Sequence, residues 1–523
     1  MPTDASPHAD DQTASRSMDP CARCPYPRCS ALCEAEGGRD FDHLNEECGL
    51  CAVYGHSEAP KLVYLGLYAL QHRGQEGAGM VASHDGNLSA HRGVGLVADV
   101  FKPHRLAQVR GDKAIGHVRY STFGTSILRN VQPLTVDYKC GSMALAHNGN
   151  LVNAHIIREQ LEEDGAIFQS TTDSEVIIQL TARSKKGRFV DCVIDALKKV
   201  IGAYCILAIN GDEIVAARDP LGFRPLWLGR RDGAYVVASE SCALDIIDAD
   251  WIREIEPGEV VLLSENGIES IYPFERVKPR KCIFEFVYLA RPDSYLFGRS
   301  VDAVRKRPGA NLARLAPVDA DIVMAVPDSS NPAALGYAHE SGILFDMGFI
   351  RNHYVGRMFI ESDQRIRDFG VKIKLNPARN VIEGKRIVLI DDSIVRGTTS
   401  RKLTKMLRRN GAKEIHFRIS SPPIINGCHY GIDTPNRDKL IAARMTVDAI
   451  REYLDVDSLV YQTIDGLVDA TESPREEFCL ACFNNRYPTS TPYDYVLSKV
   501  SRRHVDTSTE PYDSSKTAMP AEF

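Results

Sequence analysis

The sequence predicts a mixed α/β protein of more than one domain, with short strands first and alternating strands and helices afterwards. Its 523 residues exceed the roughly 250 to 300 at which a single core usually stops growing. From Cys48 to about residue 275, short apolar runs are separated by turn residues, which is typical of packed sheets. From Cys282 onward, buried-strand patterns alternate with helical patterns, which is typical of a parallel sheet.

Composition excludes several classes of function. Charged residues make up 25% of the chain and the net charge is −6, so no basic excess points to nucleic acid. No apolar run approaches the roughly 20 residues that span a bilayer, and the N-terminus lacks a secretory signal pattern. We therefore expect a soluble cytoplasmic protein without a membrane or nucleic-acid partner. In such a protein, 14 cysteines indicate metal binding or catalysis before disulfides.

The two ends of the chain are predicted to be disordered. Residues 1–40 are poor in large apolar side chains and rich in Asp, Ser, Pro and Ala, and residues 501–523 are polar. The leader contains four closely spaced cysteines, Cys21, Cys24, Cys29 and Cys33. They could ligate zinc or a cluster, but a functionless leader is slightly favoured because nothing around them could build a folded module.

Strand patterns in the first half are short and apolar. They cover residues 50–54, 214–217, 235–239 and 260–263, with turn residues such as those at 219–222 between them.

The second half is organised around one strand, loop and helix. Residues 387–390 form a continuous apolar run that predicts a strand buried on both faces. Asp391 and Asp392 follow it, then a small polar loop at 396–400, then a helical pattern that stops at Asn410. The loop and the helix N-terminus can hold a phosphate, and the acids can bind sugar hydroxyls or Mg²⁺. No Walker motif is present.

Further strand patterns flank this one. Residues 322–326 predict a second buried strand, which ends in Pro327, Asp328, Ser329 and Ser330, and residues 414–420 predict an alternating strand.

This organising stretch resembles the diphosphoribose-binding signature of type I phosphoribosyltransferases. The resemblance implies 5-phosphoribosyl 1-diphosphate as substrate, with Asp391 and Asp392 at the ribose hydroxyls and at one Mg²⁺. It adds Ser329 as a neighbour of the metal. It assigns the substrate's 5-phosphate to the loop residues Arg396, Gly397, Thr398, Thr399 and Ser400.

Five motifs in the first half, taken in order, resemble the class II glutamine amidotransferase domain. They begin at Cys48 and continue at residues 70–76, 116–120, 146–150 and 170–175. The resemblance implies an N-terminal-nucleophile hydrolase fold, an αββα sandwich. It assigns Cys48 as nucleophile with its own α-amine as base, Asn148 and the Gly149 N–H as the oxyanion site, Arg119 and Asp173 as binders of glutamine, and Arg73 as a residue that orders the site.

An amide nitrogen is not basic, so Cys48 within an uncut chain lacks the base that the resemblance requires. Residues 1–47 are therefore predicted to be a propeptide. The alternative is that Cys48 is a buried core cysteine, which the matching motifs downstream disfavour.

A second constellation consists of Cys282, Cys428, Cys479 and Cys482, of which only the last two have local ligand spacing. By chemistry alone, four thiolates suit either a [4Fe–4S] cluster or structural zinc. All four, however, match the iron–sulfur ligands of one branch of glutamine phosphoribosyl-diphosphate amidotransferases. That resemblance implies one structural [4Fe–4S] cluster.

The resemblance covers nearly everything from Glu46 to Pro488 and predicts four segments. These are a leader at 1–47, an amidotransferase domain at 48–275, a phosphoribosyltransferase domain at 276–488 that includes the cluster cysteines, and a C-terminal helix or disordered tail at 489–523. The implied reaction converts glutamine, phosphoribosyl diphosphate and water into 5-phosphoribosylamine, pyrophosphate and glutamate, the first step of purine synthesis. The family also implies a homotetramer inhibited by purine nucleotides.

The sequence argues against two other classes of protein. A glutamine-dependent sugar-phosphate aminotransferase would need a sugar isomerase domain, which the acid pair Asp391 and Asp392 argues against. A non-catalytic sensor of phosphoribosyl diphosphate would lack Cys48 and its partners.

Overall fold

Two antiparallel sheets make up most of the first half of the chain. Their strands, in chain order, are β1 (Gly49–Tyr54), β2 (Gly77–His84), β3 (Asn87–Val94), β4 (Lys113–Arg119), β5 (Leu134–Tyr138), β6 (Gly141–Leu151), β7 (Gly202–Ile209), β8 (Ile214–Arg218), β9 (Trp227–Arg231), β10 (Ala234–Ala238), β11 (Asp250–Glu254), β12 (Val260–Ser264) and β13 (Gly267–Ile271). The first sheet has the order β11-β9-β10-β1-β4-β2-β3, and the second has the order β13-β12-β8-β7-β6-β5. The computed structural model describes residues 48–120, 127–352 and 375–491.

Helices cover the outer faces of both sheets. They are α1 (Ala59–Ala69), α2 (Val97–Val100), α3 (Pro103–Leu106), α4 (Ala154–Glu163), α5 (Ser174–Arg183), α6 (Phe189–Leu197) and α7 (Ser241–Asp245), with 3₁₀ turns at Gln71–Arg73 and Leu128–Asn130. Strand alternation sorts the apolar side chains into layers, because successive residues point to opposite faces. In β1, Leu50 and Ala52 face the second sheet, whereas Cys51 and Val53 pack under α1. Helices α4, α5 and α6 pack on the other sheet. The predicted αββα sandwich is confirmed.

A parallel sheet forms the centre of the second half. The strands from here on are β14 (Lys281–Cys282), β15 (Tyr295–Leu296), β16 (Arg299–Ser300), β17 (Ile322–Ala325), β18 (Phe349–Arg351), β19 (Leu375–Pro377), β20 (Arg386–Asp391), β21 (Glu414–Ile419), β22 (Ser458–Tyr461) and β23 (Phe478–Cys479). The sheet has the order β17-β20-β21-β22, and every neighbouring pair is parallel. The predicted strands at 322–326, 387–390 and 414–420 are therefore all present, in a parallel sheet as expected.

Helices lie on both faces of this sheet. They are α8 (Val301–Leu315), α9 (Asn331–Ser341), α10 (Arg379–Ile382), α11 (Thr398–Arg409), α12 (Val447–Leu454), α13 (Ile464–Asp469) and α14 (Ala481–Asn484), with a π-turn at Glu285–Leu289 and 3₁₀ turns at Arg437–Lys439, Ile441–Ala443 and Arg475–Glu477. Val388 and Ile390 pack against α8 and α9, whereas Ile387 and Leu389 pack against α11 and α12. Both faces of β20 are thus buried, as a strand inside a doubly wound sheet requires.

The two halves share an apolar core and a backbone hydrogen bond, which the Cys282 N–H donates to the Phe223 carbonyl oxygen at 3.0 Å. Strand β14 pairs in parallel with β23, which places Cys282 opposite Cys479. One apolar cluster runs from Cys51 in β1 to Phe483 in α14. Within the described residues no helix is long and apolar enough to cross a membrane. The leader with its four cysteines and the tail beyond residue 491 lie outside the residues that the structure describes.

Candidate active site

Cys48 lies buried at the start of β1, next to the end of β4. The antiparallel register pairs Gly49 with Val118, so Cys48 lies beside Arg119 and Tyr120. The Cys48 thiol donates to the carbonyl oxygen of Tyr120 at 3.6 Å. Burial raises the pKa of this thiol to about 11, and the positive charge of Arg119 offsets only part of that rise. Cys48 is therefore a neutral thiol near pH 7 and would need a neighbouring base to act as a nucleophile.

Two charged side chains lie close enough to influence that thiol. Arg119 is almost fully buried at the end of β4, and Asp173 precedes α5. Burial alone would raise the pKa of Asp173, but His147 and the hydrogen bonds of Leu151 and Ser174 lower it below its ordinary value. The Leu151 N–H donates to Asp173 Oδ2 at 2.9 Å. The structure therefore brings a buried cation and a buried carboxylate close to the Cys48 thiol.

Asn148 and Gly149 lie near the end of β6, the second strand from one edge of the second sheet. Asn148 is fully buried, yet neither its Nδ2 nor its Oδ1 has a hydrogen-bond partner among the described residues. Leaving such a group unsatisfied costs about 1–3 kcal/mol, so it indicates a ligand-binding role. Gly149 has a φ of 143°, and a Cβ there would lie 2.0 Å from the Ala203 carbonyl oxygen. Only glycine fits this position.

Arg73 is held inside a network of buried charges. Its guanidinium donates to the carboxylates of Glu240 and Glu285, and all three side chains are at most 1% exposed. Arg224 lies 3.4 Å from the same Glu285, and His72 lies 2.7 Å from Glu240. Burial alone would raise the pKa of Glu240, but the charges of Arg73 and His72 lower it well below its ordinary value. Arg73 therefore fixes the segment beside the nucleophile, while a direct part in the reaction stays a prediction.

Asp391 and Asp392 lie at the carboxyl end of β20, where parallel sheets commonly bind ligands. Ser330 donates to Asp391 at 3.1 Å, and the hydroxyls of Ser329 and Ser393 donate to Asp392. Ser329 thus reaches the acid pair from the loop after β17, as the resemblance implies. Carboxylate and hydroxyl oxygens are the donor set that Mg²⁺ prefers, so these residues fit that ion.

The predicted phosphate loop leads directly into α11. Gly397 occupies the N-cap position with a φ of 79°, and Thr398, Thr399 and Ser400 form the first helical turn. The first N–H groups of a helix have no partner within it, and the helix dipole favours an anion there. Arg396, immediately before the cap, adds a cation. The local geometry matches a phosphate site.

The four cysteines of the second constellation line one apolar cavity, together with aromatic residues from both halves. Burial, with a smaller contribution from the neighbouring cysteines, raises the pKa of Cys282 and of Cys479 to about 12. The Tyr430 N–H donates to the sulfur of Cys428 at 3.2 Å. A bound cation would remove the mutual repulsion of these thiolates, so their chemistry fits a metal centre.

Among the described residues, no three His, Cys, Asp or Glu side chains converge closely enough to hold a single metal ion. All four thiols line the cavity described above.

The sequence alone did not predict the roles of several residues in these sites. Glu240 and Glu285, which hold Arg73, lie 167 and 212 residues from it, and no local pattern connects them. His147 belongs to a motif that the sequence singled out, but its position 3.8 Å from Asp173 depends on the fold.

Comparisons with known proteins agree with this architecture. A glutamine amidotransferase domain family matches residues 117–245, which include Arg119, Asn148 and Asp173. A chloroplastic amidophosphoribosyltransferase of Arabidopsis thaliana is 52% identical over 460 residues, which cover 87% of this chain and 82% of the relative. The amidophosphoribosyltransferase of Bacillus subtilis is 46% identical over 462 residues, which cover 87% and 97%.

A solved structure adds the whole-chain fold. Glutamine phosphoribosylpyrophosphate amidotransferase from B. subtilis, complexed with ADP and GMP, matches with a TM-score of 0.81 at 46% identity, covering 85% of this chain and 98% of that one. Identity at this level over most of both proteins, with both folds in the same order, shows that the chain belongs to the amidophosphoribosyltransferase family.

Proposed function

We propose that this chain carries out the reaction of its family with the residues described above. It hydrolyses glutamine at Cys48 and transfers the ammonia to C1 of 5-phosphoribosyl 1-diphosphate. The products are glutamate, pyrophosphate and 5-phosphoribosylamine, and the step begins purine nucleotide synthesis.

The observation that carries the glutamine half is the buried Asn148 amide without a protein partner among the described residues. An oxyanion formed when Cys48 attacks the carboxamide would accept from the Asn148 Nδ2 group and from the Gly149 N–H. Arg119 would hold the α-carboxylate of glutamine, and Asp173 its α-ammonium. Each interaction pairs opposite charges in a buried site, where such pairs are strong.

Because an amide nitrogen is not basic and cannot deprotonate the neutral Cys48 thiol, we infer that residues 1–47 are removed. Cleavage before Cys48 would create an α-amine with a pKa of roughly 7.7–8.0, which can take the thiol proton near neutral pH. The active enzyme therefore begins at Cys48.

At the transferase site, the acid pair would bind the ribose hydroxyls, and the turn at Thr398–Ser400 would bind the 5-phosphate. Asp391, Asp392 and Ser329 would hold Mg²⁺, which when bound offsets the charge of the leaving pyrophosphate. An internal cavity beside this site is lined by Phe286, Arg305 and Ser329. Phe286 follows Glu285, the buried partner of Arg73, so one lining residue of this cavity is next in sequence to the buried charge network. We infer that ammonia passes within the chain.

Cys282, Cys428, Cys479 and Cys482 would hold a [4Fe–4S] cluster, which when bound crosslinks the 281–282 and 478–479 strands to the loop around Cys428. The cluster has a structural role.

The remaining partners follow the family. Because the solved B. subtilis relative is a complex with ADP and GMP, we infer that purine nucleotides bind and inhibit this chain as well. A homotetramer is the expected assembly. The plant relatives are named chloroplastic, so a cytoplasmic location stays a prediction from composition.

The test is a pair of product assays on the processed enzyme. Glutamine with 5-phosphoribosyl 1-diphosphate and Mg²⁺ should give glutamate and pyrophosphate in equal amounts, and omitting the phosphoribosyl substrate should leave only slow glutamate release. Ammonium chloride should replace glutamine for pyrophosphate release. Glutamate release without any pyrophosphate under either condition would contradict the proposed transfer.

A further inference from the structure

The loop of Cys428, His429, Tyr430 and Gly431, called here the 428–431 loop, joins the four-cysteine cavity to the oxyanion strand β6. Cys428 lines the cavity at one end of the loop. At the other end, a Cβ placed on Gly431 would lie 3.1–3.3 Å from the C, Cα and O atoms of Gly149. The second half of the chain therefore packs directly on the peptide that the proposed function assigns to the oxyanion site.

Polar contacts hold this loop against the first half. The Asn150 Nδ2 group donates to the His429 carbonyl oxygen at 2.9 Å, and Arg224 Nη2 donates to the Tyr430 carbonyl oxygen at 2.9 Å. Arg224 also pairs with Glu285, which in turn binds Arg73. The loop backbone is thus attached both to β6 and to the buried charge network.

Apolar packing closes the remaining side. The Tyr430 ring stacks on Phe223 with centroids 4.2 Å apart. Val152 and Ala203 of the first half share one buried cluster with Tyr430 and Cys479. A packed interior transmits displacement because it has few voids.

From these contacts we propose that the 428–431 loop is a positioning element for glutamine hydrolysis, which sets the Gly149 peptide through the contact with Gly431. The proposal rests on the function proposed above. Oxyanion donors act only when they lie within a few tenths of an ångström of their working position. A loop anchored by a thiol of the cavity therefore makes the geometry of the glutamine site depend on the four-cysteine site.

Gly431→Ala tests this directly. The added Cβ is tighter than an ordinary contact, so the Gly149 backbone must shift by a few tenths of an ångström, and the φ of 111° at residue 431 adds strain. We expect the glutamine-dependent kcat to fall about tenfold. The KM for glutamine should change little, because Arg119 and Asp173 hold the substrate's ends. The ammonia-dependent rate and the iron content should stay at the wild-type level.

A second variant removes a contact on the β6 side of the 428–431 loop. Asn150→Ala removes the hydrogen bond to His429 without adding bulk, and we expect the same selective loss, about threefold. Gly427→Ala is the matched control, because its Cβ would approach Thr434 at 3.3 Å and nothing on β6. It disturbs the same loop beside Cys428 and should keep the wild-type ratio of the two rates.

The results distinguish a positioning role of the 428–431 loop from a folding role and from failure of the proposed function. An unchanged glutamine-dependent rate in Gly431→Ala would overturn the proposal, and so would a parallel fall of both rates or of iron content, which would mean a folding role. An equal loss in Gly427→Ala would also overturn it. If the wild-type enzyme itself released no glutamate from glutamine, the proposed function would fail instead. In Gly431→Ala, iodoacetamide should alkylate Cys48 at the wild-type rate, since that reaction needs no oxyanion site.

Discussion

The two sites of this chain differ in how their charges are balanced. Around the glutamine site, Arg73 is paired with Glu240 and Glu285 inside the core, so the protein supplies both signs of charge. At the proposed transferase site, Asp391 and Asp392 are adjacent carboxylates that accept from serine hydroxyls. The ion pairs around Arg73 hold the surrounding side chains in fixed positions. The acid pair concentrates negative charge at the end of a strand, where a divalent cation and a polyhydroxyl substrate can bind.

Because the two sites are built differently, each should lose its activity independently of the other. A change at one site should remove one nitrogen source or one substrate and leave the other chemistry in place. Substitutions in the buried charge network of Arg73, Glu240 and Glu285, in contrast, should lower the free energy of unfolding of the whole chain.

The largest expected effect follows from the loss of the nucleophile. In processed enzyme, Cys48→Ala should lower the glutamine-dependent rate by at least about a thousandfold, because no other group can form the thioester. The ammonia-dependent rate should remain within twofold of wild type. Steady-state pyrophosphate release with each nitrogen source measures both. Loss of both rates in a folded variant would mean that the sites are not separable.

The reciprocal change is made at the acid pair. Asp391→Asn combined with Asp392→Asn should lower pyrophosphate release about a hundredfold with either nitrogen source, because the ribose and Mg²⁺ ligands are lost. Basal glutamate release without the phosphoribosyl substrate should persist. If the double variant still forms pyrophosphate at the wild-type rate, the transferase site lies elsewhere.

The buried charge network predicts a large effect on stability. Arg73→Met should lower the free energy of unfolding by about 3–5 kcal/mol, because Glu240 and Glu285 lose their shared partner inside the core. Arg188→Met, which breaks an ion pair with Glu269 that is half exposed on both sides, is the control and should change it by about 0.5 kcal/mol or less. Urea unfolding measures both. Equal costs in the two variants would refute a structural role for the network.

The smallest effect concerns the pH dependence of the unprocessed chain. The pKa of Cys48, about 11, lies above neutrality, and the thiolate is the reactive form. Alkylation of Cys48 by iodoacetamide should therefore rise about tenfold per pH unit as the pH increases toward that pKa. Exposed Cys140 is the internal reference. Peptide-resolved mass spectrometry in which Cys48 reacts as fast as Cys140 at neutral pH would contradict the assignment.

The sequence predicted correctly the strand, loop and helix whose residues are contiguous in the chain. The run at 387–390, the acids after it and the helix stop at Asn410 all lie within one strand, loop and helix, and the structure has them there. Cys479 and Cys482 have the C-x-x-C spacing of a ligand pair, which the sequence shows directly. Cys282 is brought next to them only by the pairing of β14 with β23.

Long-range contacts left no such signal. Glu285 reaches Arg73 across 212 residues, and Gly431 rests on Gly149 because two halves of the chain pack together. Such contacts follow from tertiary packing, which neither hydrophobic period nor spacing encodes. The family resemblance supplied the roles of Arg119 and Asp173, and their convergence on Cys48 became visible only in the fold.

If the two sites perform one reaction, the nitrogen atom of the glutamine amide passes from one site to the other inside the protein, and isotope labelling can follow it. Processed enzyme receives glutamine labelled with nitrogen-15 at the amide, 5-phosphoribosyl 1-diphosphate and a large excess of unlabelled ammonium chloride near neutral pH. The label in the phosphoribosylamine is then read by mass spectrometry after trapping with borohydride. We predict that wild-type product carries mainly the label, and that Cys48→Ala product carries none. A wild-type product whose label is diluted to the bulk ratio would contradict internal transfer, because ammonia would then leave one site before it reached the other.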